Sequence, residues 1–381
     1  MTAARARLIE ELRAYEPELI AIRRDIHRHP ETGFEEIRTA KLVADKLRAW
    51  GVEVAEGIAK TGVVGTIRGS RPGQRAIGLR ADLDALNIKE AHGRDYRSTV
   101  PGKMHACGHD GHTTMLLGAA RHLAEKPDFA GTVHVIFQPA EEGMGGGKAM
   151  IDEGLFERFP VDAIYGMHNA PGMPVGMFAT RKGPFMAASD TWVVTFRGTG
   201  GHGGAGAHAA TDPTLAVGGF IGAIQTIVSR NVRATEVAVV SVGHIAAGDR
   251  NAPNVIPSEA IVCGTARSYS PAVRDLMERR LKALAEACAG TYGCSAEADY
   301  RRLFPTLVTH ADETDVSLAA ARAVVGERAV IAEAPLLTGS EDFAFMLEAK
   351  QGSFIMIGNG VEPDGSYHYV HTPEYDSTTR S

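Results

Sequence analysis

The stretch Thr132-Val-His-Val-Ile-Phe-Gln-Pro-Ala-Glu-Glu-Gly-Met-Gly-Gly-Gly147 sets the fold class. The run 132–137 is rich in β-branched and aromatic residues and reads as a buried strand. It breaks into a proline, two adjacent carboxylates and a glycine cluster, which no helix interior favours. Such a strand followed by a polar, glycine-rich loop fits an open α/β sheet. Ligands bind there beyond the carboxyl ends of the strands.

Outward from this stretch the pattern repeats. Short apolar runs at 62–67, 76–79 and 161–165 read as further strands. A helix is expected over 110–125, with Met115, Leu116, Ala119 and Leu123 on one face. Before the first strand, Leu8, Leu12, Leu19, Ile20, Ile26, Val43, Leu47 and Trp50 recur at roughly helical spacing, and Gly51 is a plausible stop. Alternating strands and helices predict an α/β fold whose sheet is mostly parallel. Near Pro184 the order changes. Strand 191–196, a helix opening at Asp212-Pro213, strands 237–242 and 260–266, a helix from Ser270-Pro271 to Gly290 and a strand at 296–300 follow one another. Both helices begin with a capping residue and a proline at the first helical position. Strand-helix-strand-strand-helix-strand (βαββαβ) is the ferredoxin-like arrangement. An α/β helix near 315–325 and a strand at 354–357 then resume. The expected organisation is a catalytic domain in two parts, 1–185 and 301–381, around an inserted domain at 186–300.

Composition narrows the class. The chain has 381 residues, 44% hydrophobic and 23% charged, as in soluble globular proteins. Its 40 Lys and Arg against 46 Asp and Glu give a formal net charge of -6, which argues against nucleic acid or an anionic membrane as partner. Residues 1–20 carry charge throughout and lack the apolar stretch of a signal peptide. The expected location is cytoplasmic. There the four cysteines, Cys107, Cys263, Cys288 and Cys294, are expected as thiols, all but Cys107 as core residues.

The chemically distinctive residues collect just after the expected strands. Asp82 and Asp84 follow one, Glu141 and Glu142 another, and His168 a third. Met104-His-Ala-Cys-Gly-His-Asp-Gly-His112 places a thiol and an imidazole two residues apart, a pair that suits zinc and its neighbours. Taken alone, Cys-x-His fits a buried thiol beside surface histidines equally well. Glu141 and Glu142 repel each other unless a cation lies nearby. One carboxylate can ligate a metal while the other serves as general base; a plain polar loop is the alternative. His168 and His371 complete an inventory of one Cys, three His and one Glu for two metal ions.

These motifs resemble the aminoacylase and carboxypeptidase family of dinuclear metallohydrolases. The amidohydrolase branch, with hippurate hydrolase, N-acyl-amino-acid amidohydrolases and the auxin-conjugate hydrolases, matches best. The similarity runs in order through Arg23-Arg-Asp-Ile-His-Arg-His-Pro-Glu31, Leu79-Arg-Ala-Asp-Leu-Asp-Ala-Leu86, residues 104–117, 138–143 and 166–169. It continues through Gly200-Gly-His202, Asn254-Val-Ile-Pro257, Gly264-Thr-Ala-Arg267, Gly339-Ser-Glu-Asp-Phe343 and His371-Thr-Pro373. The resemblance implies that Cys107, His109, Glu142, His168 and His371 ligate two divalent ions (zinc, manganese, cobalt or nickel). It implies Glu141 as general base and then acid, with Asp84, and in part Asp82, orienting ligands. His112 is read as supporting, and His27 and His29 as structural.

The inserted domain is implied to be a lid and homodimer surface. From it, His202 would stabilise the oxyanion, and Asn254 and Arg267 would hold the substrate; a surface ion pair is the competing reading of Arg267. The implied substrate is a small N-acyl amino acid. A dipeptidase or exopeptidase, or a non-catalytic metal-dependent binding protein, is the alternative. Two departures stand out. Relatives commonly have His-x-x-x-Pro-His where this chain has His202-Gly-Gly-Ala-Gly-Ala-His208, so a more mobile loop is expected. Relatives also continue past His-Thr-Pro-Glu-Tyr-Asp into a final helix. This sequence reaches Ser381 without one, so looser packing around His371 is expected.

Overall fold

A computed structural model describes residues 3–91, 93–361 and 364–377. The chain divides into two compact units. The first comprises 1–185, 308–335 and 342–381, and the second 186–307 and 336–341. Residues 301–307, expected with the returning catalytic segment, thus belong to the second unit, as do 336–341.

In chain order the first unit opens with helices α1 (Ala3–Arg13), α2 (Glu16–Arg28) and α3 (Ile37–Ala49). Strands β1 (Glu53–Ile58), β2 (Gly62–Arg68) and β3 (Arg71–Asp82) follow. Then come α4 (His109–Glu125), β4 (Ala130–Gln138), α5 (Gly146–Asp152) and β5 (Ala163–Pro171). The second unit holds β6 (Ala188–Arg197), α6 (Pro213–Thr226), β7 (Ala238–Ala247), β8 (Glu259–Ser268), α7 (Pro271–Thr291) and β9 (Ser295–Phe304). The first unit ends with α8 (Ala311–Val325), α9 (Phe343–Ala349) and β10 (Gly352–Gly360).

The sheet of the first unit runs β1-β2-β4-β3-β5-β10 and is extended by the two-residue strands Phe178–Ala179 and Val330–Ile331. Its centre is parallel, because β3 pairs in parallel with β4 and β5, and β5 with β10. In β4 every residue from Val133 to Gln138 is buried, so both faces of the sheet are covered there. Ile26, Val43, Leu47, Leu117, Val135 and Phe137 form the heart of one buried cluster between this sheet and α2, α3 and α4.

Two strands are longer than expected. β3 reaches Asp82, which pairs with Gln138 at the end of β4. Asp82 therefore sits on the last rung and not in the following loop. His168, expected beyond a strand ending near 165, lies inside β5. That strand continues because β10 runs parallel beside it, with Met356 opposite His168.

The second unit has four antiparallel strands in the order β7-β8-β6-β9. With its two helices this is the ferredoxin-like arrangement. Asp212 caps α6 by accepting from the Thr214 amide at 2.8 Å, whereas the Ser270 side chain makes no such bond at α7. Along α7 the buried residues Val273, Met277, Leu281, Ala285 and Ala289 recur every fourth position. This stripe packs on the sheet with Trp192, Phe196 and Phe220. All four cysteines are free thiols, but only Cys107 is buried. Cys263, Cys288 and Cys294 are half-buried, and Cys288 and Cys294 pack against the core of the second unit. Cys263 follows the buried Val262 on β8, so it faces the side of the sheet that Val262 does not.

Candidate metal centre and its surroundings

The site forms where the carboxyl ends of β3, β4 and β5 meet the start of α4. Gly108 precedes α4 with φ +97, a conformation that suits glycine. A Cβ there would come within 2.3 Å of the Asn169 amide nitrogen and 2.5 Å of the Tyr375 hydroxyl. The turn lets the Cys107 thiol and the His109 ring face the same space. The loop after β4 leaves helical geometry at Glu142 and Gly143, as its glycines led one to expect.

The ring nitrogens assign the histidines. His109 Nδ1 donates to Asp84 Oδ1 at 3.2 Å, and the other oxygen of Asp84 accepts the Glu142 amide at 2.9 Å. His109 Nε2 is buried and has no hydrogen-bond partner among the described residues. His168 Nδ1 donates to the Asn169 carbonyl at 2.7 Å, which turns its Nε2 toward Cys107 Sγ at 3.4 Å. His371 Nε2 lies 3.1 Å from Glu142 Oε1. His112 differs. Its Nδ1 donates to Asp82 Oδ1 at 2.6 Å and its Nε2 accepts the Asn169 amide at 3.0 Å. Both nitrogens are engaged, so His112 supports the part of β5 that carries His168.

Of five groups among the described residues that bring potential ligand atoms within 4.8 Å of one another, three consist of the expected ligands and base: Cys107, His109 and His168; Cys107, Glu142 and His371; and His109, Glu141 and Glu142. Cys107 belongs to two of them, as a ligand close to two ions would. Charge favours a cation as well. Burial, then Glu142, Glu141 and Asp82, push the Cys107 thiol up. Burial alone would lower His109, but Asp82, Asp84 and Glu142 outweigh it and hold His109 up to about 10. Such groups hold positive charge in place. The buried His109 Nε2, without a hydrogen-bond partner among the described residues and set among carboxylates and a thiol, suits a cation, so the residues fit a dinuclear centre.

A buried polar frame surrounds the centre. His27 donates Nδ1 to Asp110 at 2.8 Å and Nε2 to Glu90 at 3.1 Å. Arg23 pairs with Asp110 at 2.8 Å and also with Asp376. The segment carrying His371 is tied down. Its amide donates to the Ala106 carbonyl at 2.7 Å, the Ala91 amide donates to the Pro373 carbonyl at 2.9 Å, and the buried Tyr375 donates to Asn169 at 2.9 Å. The His371 side chain itself is half exposed, while Tyr375 is buried. The end of the tail, 378–381, lies outside the described residues.

The residues expected in the inserted domain all lie in the second unit. His202 is exposed on the short strand Gly201–His202, which pairs with Val255–Ile256. Its Nδ1 accepts the amides of Gly204 and Ala205, each at 3.1 Å. The Gly206 amide donates to the His202 carbonyl at 2.9 Å and the Gly203 amide to the Asn254 carbonyl at 2.7 Å. The glycine-rich loop thus closes into a hydrogen-bonded turn. The half-buried Arg267 donates to the Ala266 carbonyl at 2.9 Å and to Thr265.

Sequence reasoning missed Asn169, whose side chain donates to the Cys107 carbonyl at 2.6 Å, and the partners of Asp342. Both stood in recognised motifs, Gly166 to Asn169 and Gly339 to Phe343. Membership of those motifs was the only signal.

The comparisons agree with the geometry. The family model of peptidase family M20/M25/M40 matches residues 78–379. Hippurate hydrolase of Campylobacter jejuni is 40% identical over 97% of this chain and 94% of its own length. Thermostable carboxypeptidase 1 of Saccharolobus solfataricus is 37% identical over 97% of this chain and 93% of its own. A dinuclear metal binding peptidase of the M20 family from Bacillus subtilis superposes with a TM-score of 0.82 at 32% identity, covering 96% of this chain and 94% of that one. With the fold, the ligand geometry and near full-length similarity in agreement, this chain belongs to peptidase family M20/M25/M40 and is a hydrolase acting on amide bonds.

Proposed function

We propose that the protein hydrolyses the amide bond of N-acyl amino acids, releasing a carboxylic acid and a free amino acid, with two divalent ions in its centre. The observation that carries this reading is the unpartnered His109 Nε2 among Cys107, His168 and Glu142, with Glu141 alongside. Cys107, His109, Glu142, His168 and His371 would hold the ions. Bound there, they supply Lewis acidity toward a carbonyl oxygen and lower the pKa of water to roughly 7. Zinc fits the thiolate and imidazoles, and manganese, cobalt and nickel suit the same set.

The protein's own groups do the rest. Glu141 takes the proton of the attacking water and passes it to the leaving amine. Asp84 fixes the His109 ring through Nδ1, so that Nε2 points into the centre. His202, whose Nδ1 already accepts two amides, keeps its proton on Nε2 and offers it to the developing oxyanion. Asn254 and Arg267 hold the substrate's carbonyl or carboxylate, a task suited to a guanidinium.

The second unit acts as lid and homodimer surface. Support for dimerisation comes from its edge strand β7, which exposes Ile245. Four free thiols accord with a cytoplasmic location. No helix among the described residues is long and apolar enough to cross a membrane.

The test is a hydrolysis panel on chelated enzyme with each metal restored in turn. Hippurate and N-acetyl amino acids are expected to turn over, and dipeptides to react far more slowly. Preference for dipeptides would favour an exopeptidase, the reading supported by the carboxypeptidase relative. Metal uptake without turnover of either class would indicate a binding protein.

A further inference from the structure

The motif Gly339-Ser-Glu-Asp-Phe343 has no part in the chemistry above, yet its aspartate is fully buried at the start of α9. Asp342 Oδ1 accepts Arg80 Nη2 at 3.0 Å and Gln138 Nε2 at 2.8 Å. Asp342 Oδ2 accepts the Gly147 amide at 2.8 Å and Gln138 Nε2 at 2.9 Å. Gln138 and Gly147 are the two ends of the loop that carries Glu141 and Glu142. One carboxylate therefore clamps both ends of that loop. In addition, the Asp342 amide points at Glu141 Oε1 from 3.4 Å.

The loop has one closing bond of its own, from the Gly146 amide to the Ala140 carbonyl at 3.0 Å, and Glu36 accepts the Ala140 amide at 2.8 Å; Asp342 is the group that reaches both of its ends. Gly143 and Gly145 lie at φ +77 and +72, and four of its last five residues are glycine. Glu142 has holds of its own through Asp84 and His371. Arg80 in turn donates to Asp82 Oδ2 at 2.7 Å and Gln138 Oε1 at 2.8 Å, which locks the clamp to the end of β3.

We infer that Asp342 is a positioning residue for Glu141, holding the loop and the carboxylate at the place where a base must stand. This rests on the reading of Glu141 as general base. Base catalysis requires placement within hydrogen-bond reach of the proton taken, and a displacement of about 1 Å can lower the rate about 100-fold.

The test uses metal-loaded, full-length enzyme. Asp342→Asn keeps the size and removes the charge. Its kcat is expected to fall about 10- to 100-fold with KM within about twofold and both metals retained. In a Glu141→Asp background, where the shorter base is already displaced, the same change is expected to lower kcat only about threefold or less. An unchanged kcat in Asp342→Asn, an equal loss in both backgrounds, or loss of metal in place of kcat would each overturn the inference. Should Asp342→Asn fail to fold, Gly147→Ala decides. Its Cβ would sit 3.0 Å from Gln138 Oε1 and 3.2 Å from Asp342 Oδ2, pressing both members of the clamp by a few tenths of an ångström. A fall in kcat of about threefold or more at constant KM supports the clamp, and a wild-type kcat rejects it. Near-full activity of Glu141→Gln would instead remove the base reading itself, a distinct failure.

Discussion

The metal centre of the first unit and the His202 turn of the second solve the same task, aiming a ring nitrogen, in opposite surroundings. His109 is fully buried, and its orientation comes from Asp84, itself fixed by the Glu142 amide. His202 is exposed, and its ring is aimed by two amides only two and three residues away. Burial makes each polar bond in the centre expensive to lose, because a group left without a partner bears its full desolvation penalty. The exposed turn has water as an alternative partner. Buried aim is therefore a property of the whole network, whereas exposed aim is a property of one short loop.

The largest test of this contrast lies inside the centre. Glu141→Gln is expected to lower kcat by roughly 10^4-fold while both metals stay bound, as read by steady-state kinetics and metal analysis. Retained activity would place the base elsewhere. Next comes the turn. His202→Ala is expected to lower kcat about 100-fold, the size of one lost oxyanion donor, with metal content and melting temperature unchanged. Loss of metal in that variant would mean that the two regions are not independent.

The smallest effect concerns the buried frame. Burial lowers His27, but Asp110 and Glu90 outweigh it and hold it up to about 9, from 6.5. A raised pKa stabilises the fold fully below about pH 6.5, and that stabilisation is lost as pH rises through about 9. Its size is on the order of 3 kcal/mol. Thermal unfolding of the wild type should weaken across that span, and His27→Gln should flatten the profile. Parallel curves for the two proteins would show that His27 carries no extra proton in the fold.

Legibility followed range along the chain. The strand at Ala130–Gln138, the non-helical break at Glu142 and Gly143, the capped start at Asp212-Pro213 and the four-residue stripe of α7 all rest on neighbours in sequence. The extra rungs of β3 and β5 did not. Their length depends on partner strands far away, and polar Asp82 and His168 look like strand ends when read alone.

By itself the sequence determined which residues can bind metal and take a proton, because thiol, imidazole and carboxylate chemistry is a property of residue type. It also determined the alternation that makes an α/β unit and a ferredoxin-like one. Only the tertiary structure decided that His109 keeps a nitrogen open while His112, three residues on, has none. Only it revealed that Asp342 grips both ends of the loop carrying Glu141. The reason is physical. A side chain's chemistry is local, but its hydrogen-bond partners are chosen by proximity in space, and here those partners come from strands and loops far apart in the chain.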